Sequence, residues 1–332
     1  MYVFQLIKIN NMRLTLIFNF ALLILNLKGQ SYKGLIMDYK TSKPIAYANI
    51  GIPSKGYGVV CNEQGEFNLK ITNEKDSDIV QVFSIGYKPV YITISKLKTL
   101  VANEFIYIGL DEASYQLATV NVRPNDYETK IVGSKDVSEF ECEGSVSLAG
   151  KKDTVTLRKE REQGISNKSI GVELGNKIRI DKGQQTFIDK IRFKTCLKPN
   201  DTCIYRINIY KEESTKERHM TPIGMVKIIN TSNILKAPLI VKVIGKSEVQ
   251  ELDVSNQNVS VDDDFIIAIE CIYTSNNDMN IAYKTSVFGS TDLLIRPSTM
   301  AEWVKIPLLD ITFVSATVTY KKKKGFFSRW FD

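Results

Sequence analysis

From Gln30 onward almost every ordered-looking segment alternates apolar and polar residues with period two, is rich in β-branched and aromatic side chains, and is broken by Gly, Pro, Asn or Asp. Strands of this kind, spaced roughly 8–12 residues apart, specify antiparallel β architecture and leave no room for a helical core. The first stretch reads as strands near KGLIMD, AYANIGIP, GVVCN, EFNLKI, DIVQVFSI, KPVYITI, NEFIYIGL and ATVNV, with Asn62 to Gly65 as a tight turn. The pattern fades over 124–176, where charge density rises and periodicity is lost; this segment reads as a linker. It returns over 177–320 in about ten strands, as expected of a jelly-roll-like sandwich. A chain of 332 residues is long enough for two such cores.

The two ends differ from the body. Leu14 to Leu27 is an apolar run preceded by Arg13, and residues 1–30 are read as a signal peptide, since the run is shorter than the ~20 residues of a membrane-spanning helix. The formal charge of +7 resides in this leader and in the last twelve residues, so the body is close to neutral and nucleic acid is not an expected partner. The segment 321–332 gathers Lys321, Lys322, Lys323, Lys324, Phe326, Phe327, Arg329 and Trp330, a basic and aromatic composition suited to a membrane surface. A plain alternative is a lysine guard on the last strand edge.

Export would make disulfides stable. Of the five cysteines, Cys196 and Cys203 flank the turn-like CLKPNDTC and are the candidate pair, while Cys61 and Cys271 sit in apolar contexts as small buried hydrophobes. With one histidine, His219, and no CxxC, a zinc site is not expected, and a Ser-His-Asp or Cys-His centre would rest on a residue in a polar hairpin. No phosphate-cradling glycine motif occurs, and no cofactor is expected. Acids that could serve a hydrolase are Asp181, Asp189, Asp262, Asp263, Asp264 and Glu270, although nothing in the sequence sets two of them face to face. The run Asp262 to Asp264 reads most simply as a solvated turn, with calcium as the rarer alternative. Trp303, Tyr273 and Tyr283 would form a sugar-stacking platform if exposed together.

One run is familiar as a whole. Gly34, Asp38, Thr41, Pro44, Ala48, Gly58, Asn62, Gly65, Phe67, Leu69, Ser84, Gly86 and Tyr87 stand where the carboxypeptidase-regulatory-like domains of envelope proteins carry their motif residues, and residues 31–123 resemble that family. The departure is Gly58-Val59-Val60-Cys61, where the family has hydroxyl residues. The resemblance implies a seven-stranded, transthyretin-like Greek-key sandwich, non-enzymatic by itself, whose motif residues are structural. Ile188, Lys190, Ile191, Phe193, Arg206, Asn208, Ile209, Tyr210, Leu252, Asp253, Val254, Asn258 and Glu270 are similar to positions in the second halves of exported proteins carrying the same module. The expectation is an all-β, exported, non-enzymatic binding or structural module of the cell envelope, whose partner is an envelope protein or a glycan. A carbohydrate-binding second sandwich and a hydrolase are the alternatives.

Overall fold

The computed structural model describes residues 30–100, 105–113, 127–140, 142, 170–214, 218–221, 224–276, 280–286, 293–305 and 310–321. The leader, residues 322–332 of the tail and most of the charged segment after 140 lie outside them. Among the described residues no helix is long and apolar enough to cross a membrane.

The first unit holds β1 (Gln30–Asp38), β2 (Asn49–Ile52), β3 (Tyr57–Val60), β4 (Glu66–Ile71), β5 (Ile79–Phe83), β6 (Val90–Thr93), a short helix α1 (Ile94–Leu100) and β7 (Ile106–Leu110). They form two sheets, ordered β4-β1-β7 and β3-β2-β5-β6. Strict alternation does the work: Phe67, Leu69 and Ile71 of β4 point inward between exposed neighbours, opposite Ile50, Val80 and Val82 of the other sheet. Ile94 and Leu97 of α1 add to the same core.

Other motif residues of this unit serve turns. Asp38 Oδ1 accepts from the Thr41 N–H (2.7 Å), the Thr41 hydroxyl (2.9 Å) and the Lys40 N–H (3.0 Å). Asn62 Oδ1 accepts from the Gln64 and Glu66 N–H groups (3.0 and 2.8 Å), while Gly65 takes φ 74°, where a side chain would strain the backbone.

The second unit begins earlier than the linker reading allows. β8 (Tyr127–Gly133) pairs with the last described strand, and β9 (Glu173–Ile178) enters the middle of a large sheet, so residues 127–133 and 173–176 belong to the second core. The remaining strands are β10 (Thr186–Lys194), β11 (Thr202–Ser214), β12 (Arg218–Thr221), β13 (Gly224–Asn233), β14 (Leu239–Ile244), β15 (Val249–Asp253), β16 (Ser260–Val261), β17 (Phe265–Thr274), β18 (Lys284–Ser286), β19 (Leu293–Arg296), β20 (Trp303–Lys305), β21 (Asp310–Thr312) and β22 (Val314–Lys321). One sheet runs β15-β10-β22-β8; a second runs β12-β13-β20-β19-β9-β17-β11-β14. A further pairing of β13 with β11 closes six strands of the second sheet, β13-β20-β19-β9-β17-β11, into a ring. The expected jelly-roll-like sandwich is thus a sheet on a partly rolled sheet. Closure explains the unbroken burial along β11 and β17: Tyr205, Ile207, Ile209, Ile267 and Ile269 face the apolar core shared with the other sheet, and the residues between them face into the ring.

The same topology corrects the disulfide. β10 and β11 lie in different sheets, so CLKPNDTC is a crossover and not a hairpin within one sheet. Cys203 is carried into the apolar core as a thiol outside any disulfide, and Cys196 bonds to Cys142 across 54 residues of chain, with Cα atoms 5.4 Å apart. Lys321 likewise belongs to β22, paired with Tyr127, and not to the tail.

Two outcomes follow from this fold. Peptide mapping without reduction joins Cys142 to Cys196 and leaves Cys203 alkylatable only after unfolding, and Cys142→Ser costs about 4 kcal/mol in a chain-entropy model of such a loop; a Cys196–Cys203 peptide would contradict it. The second concerns Asp38, whose pKa is held below the ordinary carboxylate value, first by the Thr41 N–H and then by the Thr41 hydroxyl, against the opposing effect of burial. A depressed folded pKa stabilises above the unfolded value and loses that stabilisation as pH falls through the folded one. Denaturation midpoints of the wild type and Asp38→Asn therefore converge as pH drops below about 4.

Candidate functional site

The interior of the ring is polar at one end. Directly paired residues on adjacent strands project to the same side, and the register sets Arg296 beside Glu173, Glu173 beside Glu270, and Glu270 beside Arg206. The result is a row of four charges across β19, β9, β17 and β11 in the order plus, minus, minus, plus. Arg206 grips Glu270 through Nε and Nη2 (both 2.7 Å), and Arg296 donates from Nε to Glu173 (2.6 Å). Asn208 donates from Nδ2 to Glu173 (2.6 Å) and to Glu270 (3.3 Å), and the Tyr210 hydroxyl donates to Glu173 (2.8 Å) while accepting from Arg296 (2.5 Å). Deeper in the ring, Gly175 and Ala268 leave space for Trp303, whose indole lies 4.4 Å from the Arg296 guanidinium; a Cβ on Gly175 would stand 3.3 Å from that ring.

Glu173 and Glu270 are fully buried, and Arg206 is 3% exposed. Burial pushes the Glu270 carboxyl above its ordinary pKa, Arg206 opposes this, and the neighbouring Glu173 adds to it. Burial is the largest single effect and acts against the Arg206 charge, but Glu270, Glu173 and Tyr210 together outweigh it and the guanidinium ends above its usual value. Burial also raises the Tyr210 phenol far above its usual value.

The outer face of the first unit's four-stranded sheet covers the mouth of the ring. Arg206 reaches across with Nη1 to the Tyr47 carbonyl (2.6 Å) and with Nη2 to Asn49 Oδ1 (3.0 Å). Tyr47 holds φ 57°, a left-handed conformation that bulky residues rarely adopt. Nearby, the paired glycines Gly51 and Gly58 form a hollow for Met300, since a Cβ on either would stand 2.6–2.7 Å from Met300 Cγ. Ser298 donates to the Gly56 carbonyl (3.2 Å), and Tyr47 packs with Ile204 and Ile272. Between the two units lies a cleft of about 350 Å³, lined by Asn49, Phe83, Ser84 and Tyr87 from one side and by Arg206, Glu270, Arg296, Thr231 and Thr299 from the other. That volume is at the lower end of the ~300–1,000 Å³ usual for small-molecule sites.

Of the acids, aromatics, histidine and tail residues singled out from sequence as candidates for chemistry or contact, only Glu270 falls in this site. Asp262 pairs with Lys211 (2.9 Å), Asp263 with Lys182 (3.1 Å), and Asp264 accepts the Ile180 N–H (3.2 Å): the run is a charge-paired turn ahead of β17. Asp189 lies on the other sheet, bonded to the Thr319 hydroxyl, and Asp181 stands 3.8 Å from Lys130, so these acids do not converge with Glu270. The aromatic platform does not form: Trp303 is 1% exposed inside the ring, Tyr283 is half-buried against the core, and Tyr273 alone is open at 44%. His219 falls on β12, opposite Val226. Lys322, Lys323, Lys324, Phe326, Phe327, Arg329 and Trp330 lie outside the described residues. Glu270, Arg206, Asn208 and Tyr210 are in the site, but Glu173, Arg296 and Asn49 were missed. The available signal was a charge at an inward position of an otherwise apolar strand, as in IYRINIY, AIECIY and LLIRP.

Comparison with known proteins agrees with the first unit. Residues 32–122 match the family described as the CarboxypepD_reg-like domain. The N-terminal unit is therefore a carboxypeptidase-regulatory-like domain, and the ring with its packed sheet is a second domain beyond the match. No curated protein matches the chain. Among solved structures, the cysteine protease and lectin-like domains of Cwp84, a surface layer associated protein of Clostridium difficile, are similar at TM-score 0.26 and 10% identity over 46% of this chain. The chain spans about a third of that structure, 32% of its length. A putative membrane-associated protein of unknown function from Bacteroides fragilis NCTC 9343 is similar at TM-score 0.19 and 10% identity, covering 88% of this chain and 97% of that one. Neither likeness is close enough to carry a fold or a function across.

Removing one member of a buried ion pair costs more than removing both, because the survivor is left uncompensated. Arg206→Met loses about 3–5 kcal/mol of stability in chemical denaturation, and adding Glu270→Leu restores more than half of it. Additive losses in the double variant would mean that the row is not energetically coupled.

Proposed function

We propose that the protein is a non-enzymatic binding module of the cell envelope and that the cleft between its two domains is its ligand site. The observation that carries this reading is the lock at the cleft: Arg206 joins Glu270 of the ring to Tyr47 and Asn49 of the regulatory-like domain, which holds the two walls at a set distance. A cleft whose walls are already positioned binds without the cost of ordering them. The charged groups beneath it are engaged with one another, as befits a scaffold: both carboxylates accept N–H donors at both oxygens. In the hydrolase alternative, the acids would need a second role besides these pairings. Export is supported by the basic and apolar leader and by the Cys142–Cys196 bridge, since disulfides persist in oxidising compartments.

The test is sedimentation of purified protein with envelopes of the native host. Thr299→Trp narrows the cleft without replacing any residue of the charged row and lowers retention at least about tenfold, the equivalent of roughly 1.4 kcal/mol. Tyr107→Ala, on an exposed strand of the first domain, leaves retention unchanged. Retention that survives Thr299→Trp but is released by high salt would place the contact at the basic tail instead.

A further inference from the structure

We infer that the cleft is built for a short neutral saccharide, an inference that rests on the reading of the cleft as the binding site. Its starting point is a count of donors. Arginine can only donate, so the Asn49 atom facing Arg206 is the amide oxygen, and the Nδ2 group is turned away from it. Asn49 is 2% exposed, lines the cleft, and Nδ2 bonds to nothing among the described residues. Ser84, 7% exposed on the same wall, has a hydroxyl with no partner there either. On the facing wall, Arg296 spends Nε and Nη2 on Glu173 and Tyr210, which leaves Nη1 unengaged. Thr231 Oγ1 accepts from the Trp303 indole N–H (3.0 Å), so its own proton remains to be given. All four side chains line the same cleft, so an acceptor-rich ligand placed there would meet each of these donors.

The chemistry of the occupant follows from what the walls offer. The row of two arginines and two glutamates carries no net charge, and its carboxylate oxygens are taken, so neither a cation nor an anion finds an unpaired counter-charge in it. An oxygen-rich, uncharged ligand supplies the missing acceptors. The donors come from β19, β13, β2 and the end of β5, arranged around a mouth and not in the row that a sheet edge would present. A peptide strand would have no ladder to join, whereas the hydroxyls of a pyranose radiate from a ring. Phe83, Tyr87 and Leu235 add apolar surface for the C–H face of such a ring.

Isothermal titration of the full chain with maltose, cellobiose, lactose and N,N′-diacetylchitobiose tests this, with acetyl-trialanine amide as the peptide rival. At least one disaccharide is expected to bind saturably. Asn49→Asp, which keeps an oxygen for Arg206 and removes the free N–H group, and Ser84→Ala, which removes only a hydroxyl, each weaken it about five- to tenfold. Unchanged affinity in a folded Ser84→Ala protein, or binding of the tripeptide alone, overturns the inference. If no disaccharide binds while Thr299→Trp still abolishes retention on envelopes, the ligand class fails and the cleft stands. If Thr299→Trp has no effect on retention, the cleft itself fails and this inference fails with it.

Discussion

The pairing of Arg206 with Glu270 is the interaction on which the arrangement of the two domains depends. Within the ring it neutralises a carboxylate that would otherwise lie uncompensated beside Glu173. Across the domain boundary the same guanidinium has donors to spare, and it uses them on a backbone carbonyl and an amide of the regulatory-like domain. Arginine suits this position because its donors are fixed in a planar fork and its charge persists when buried. A lysine would supply the charge without the second direction. The strain at Tyr47 belongs to the same design: a residue held in the left-handed region presents its carbonyl to the fork.

Around this lock the rest of the second domain becomes intelligible. Closing six strands into a ring leaves β12 and β14 as the edges of the sheet and creates an interior narrow enough to be filled by side chains. Small residues at Gly175 and Ala268 admit one indole, and the indole supports the second arginine. The sheet packed outside the ring supplies the larger apolar core, and a single layer of backbone separates that core from the charged row. That separation lets β11 and β17 be buried on both faces while carrying charges on one of them.

Much of this was legible in the sequence, and the misreadings have common causes. Period-two alternation identified the strands of the first domain, and its turn residues did what their chemistry requires, as Asp38 and Asn62 do. The acids of Asp262 to Asp264 lie in a turn, as their adjacency suggested. The charged segment 124–176 was read as a linker because charge density hides a strand whose partner lies nearly two hundred residues away, as β8 lies from β22. Glu173 fell in that segment and was lost with it. Cys196 was matched to its near neighbour in sequence because nothing local shows that the intervening chain crosses between sheets.

The amino-acid sequence by itself determined the β character and the regulatory-like domain, because alternation and turn chemistry act over a few residues and need no distant partner. Only the tertiary structure decided the ring closure, the Cys142–Cys196 bond, the row of four charges and the cleft above it. Each of these depends on register between strands far apart in the chain, and register is a property of the assembled sheet: a slip of one residue would turn Arg206 from the ring interior to the apolar core.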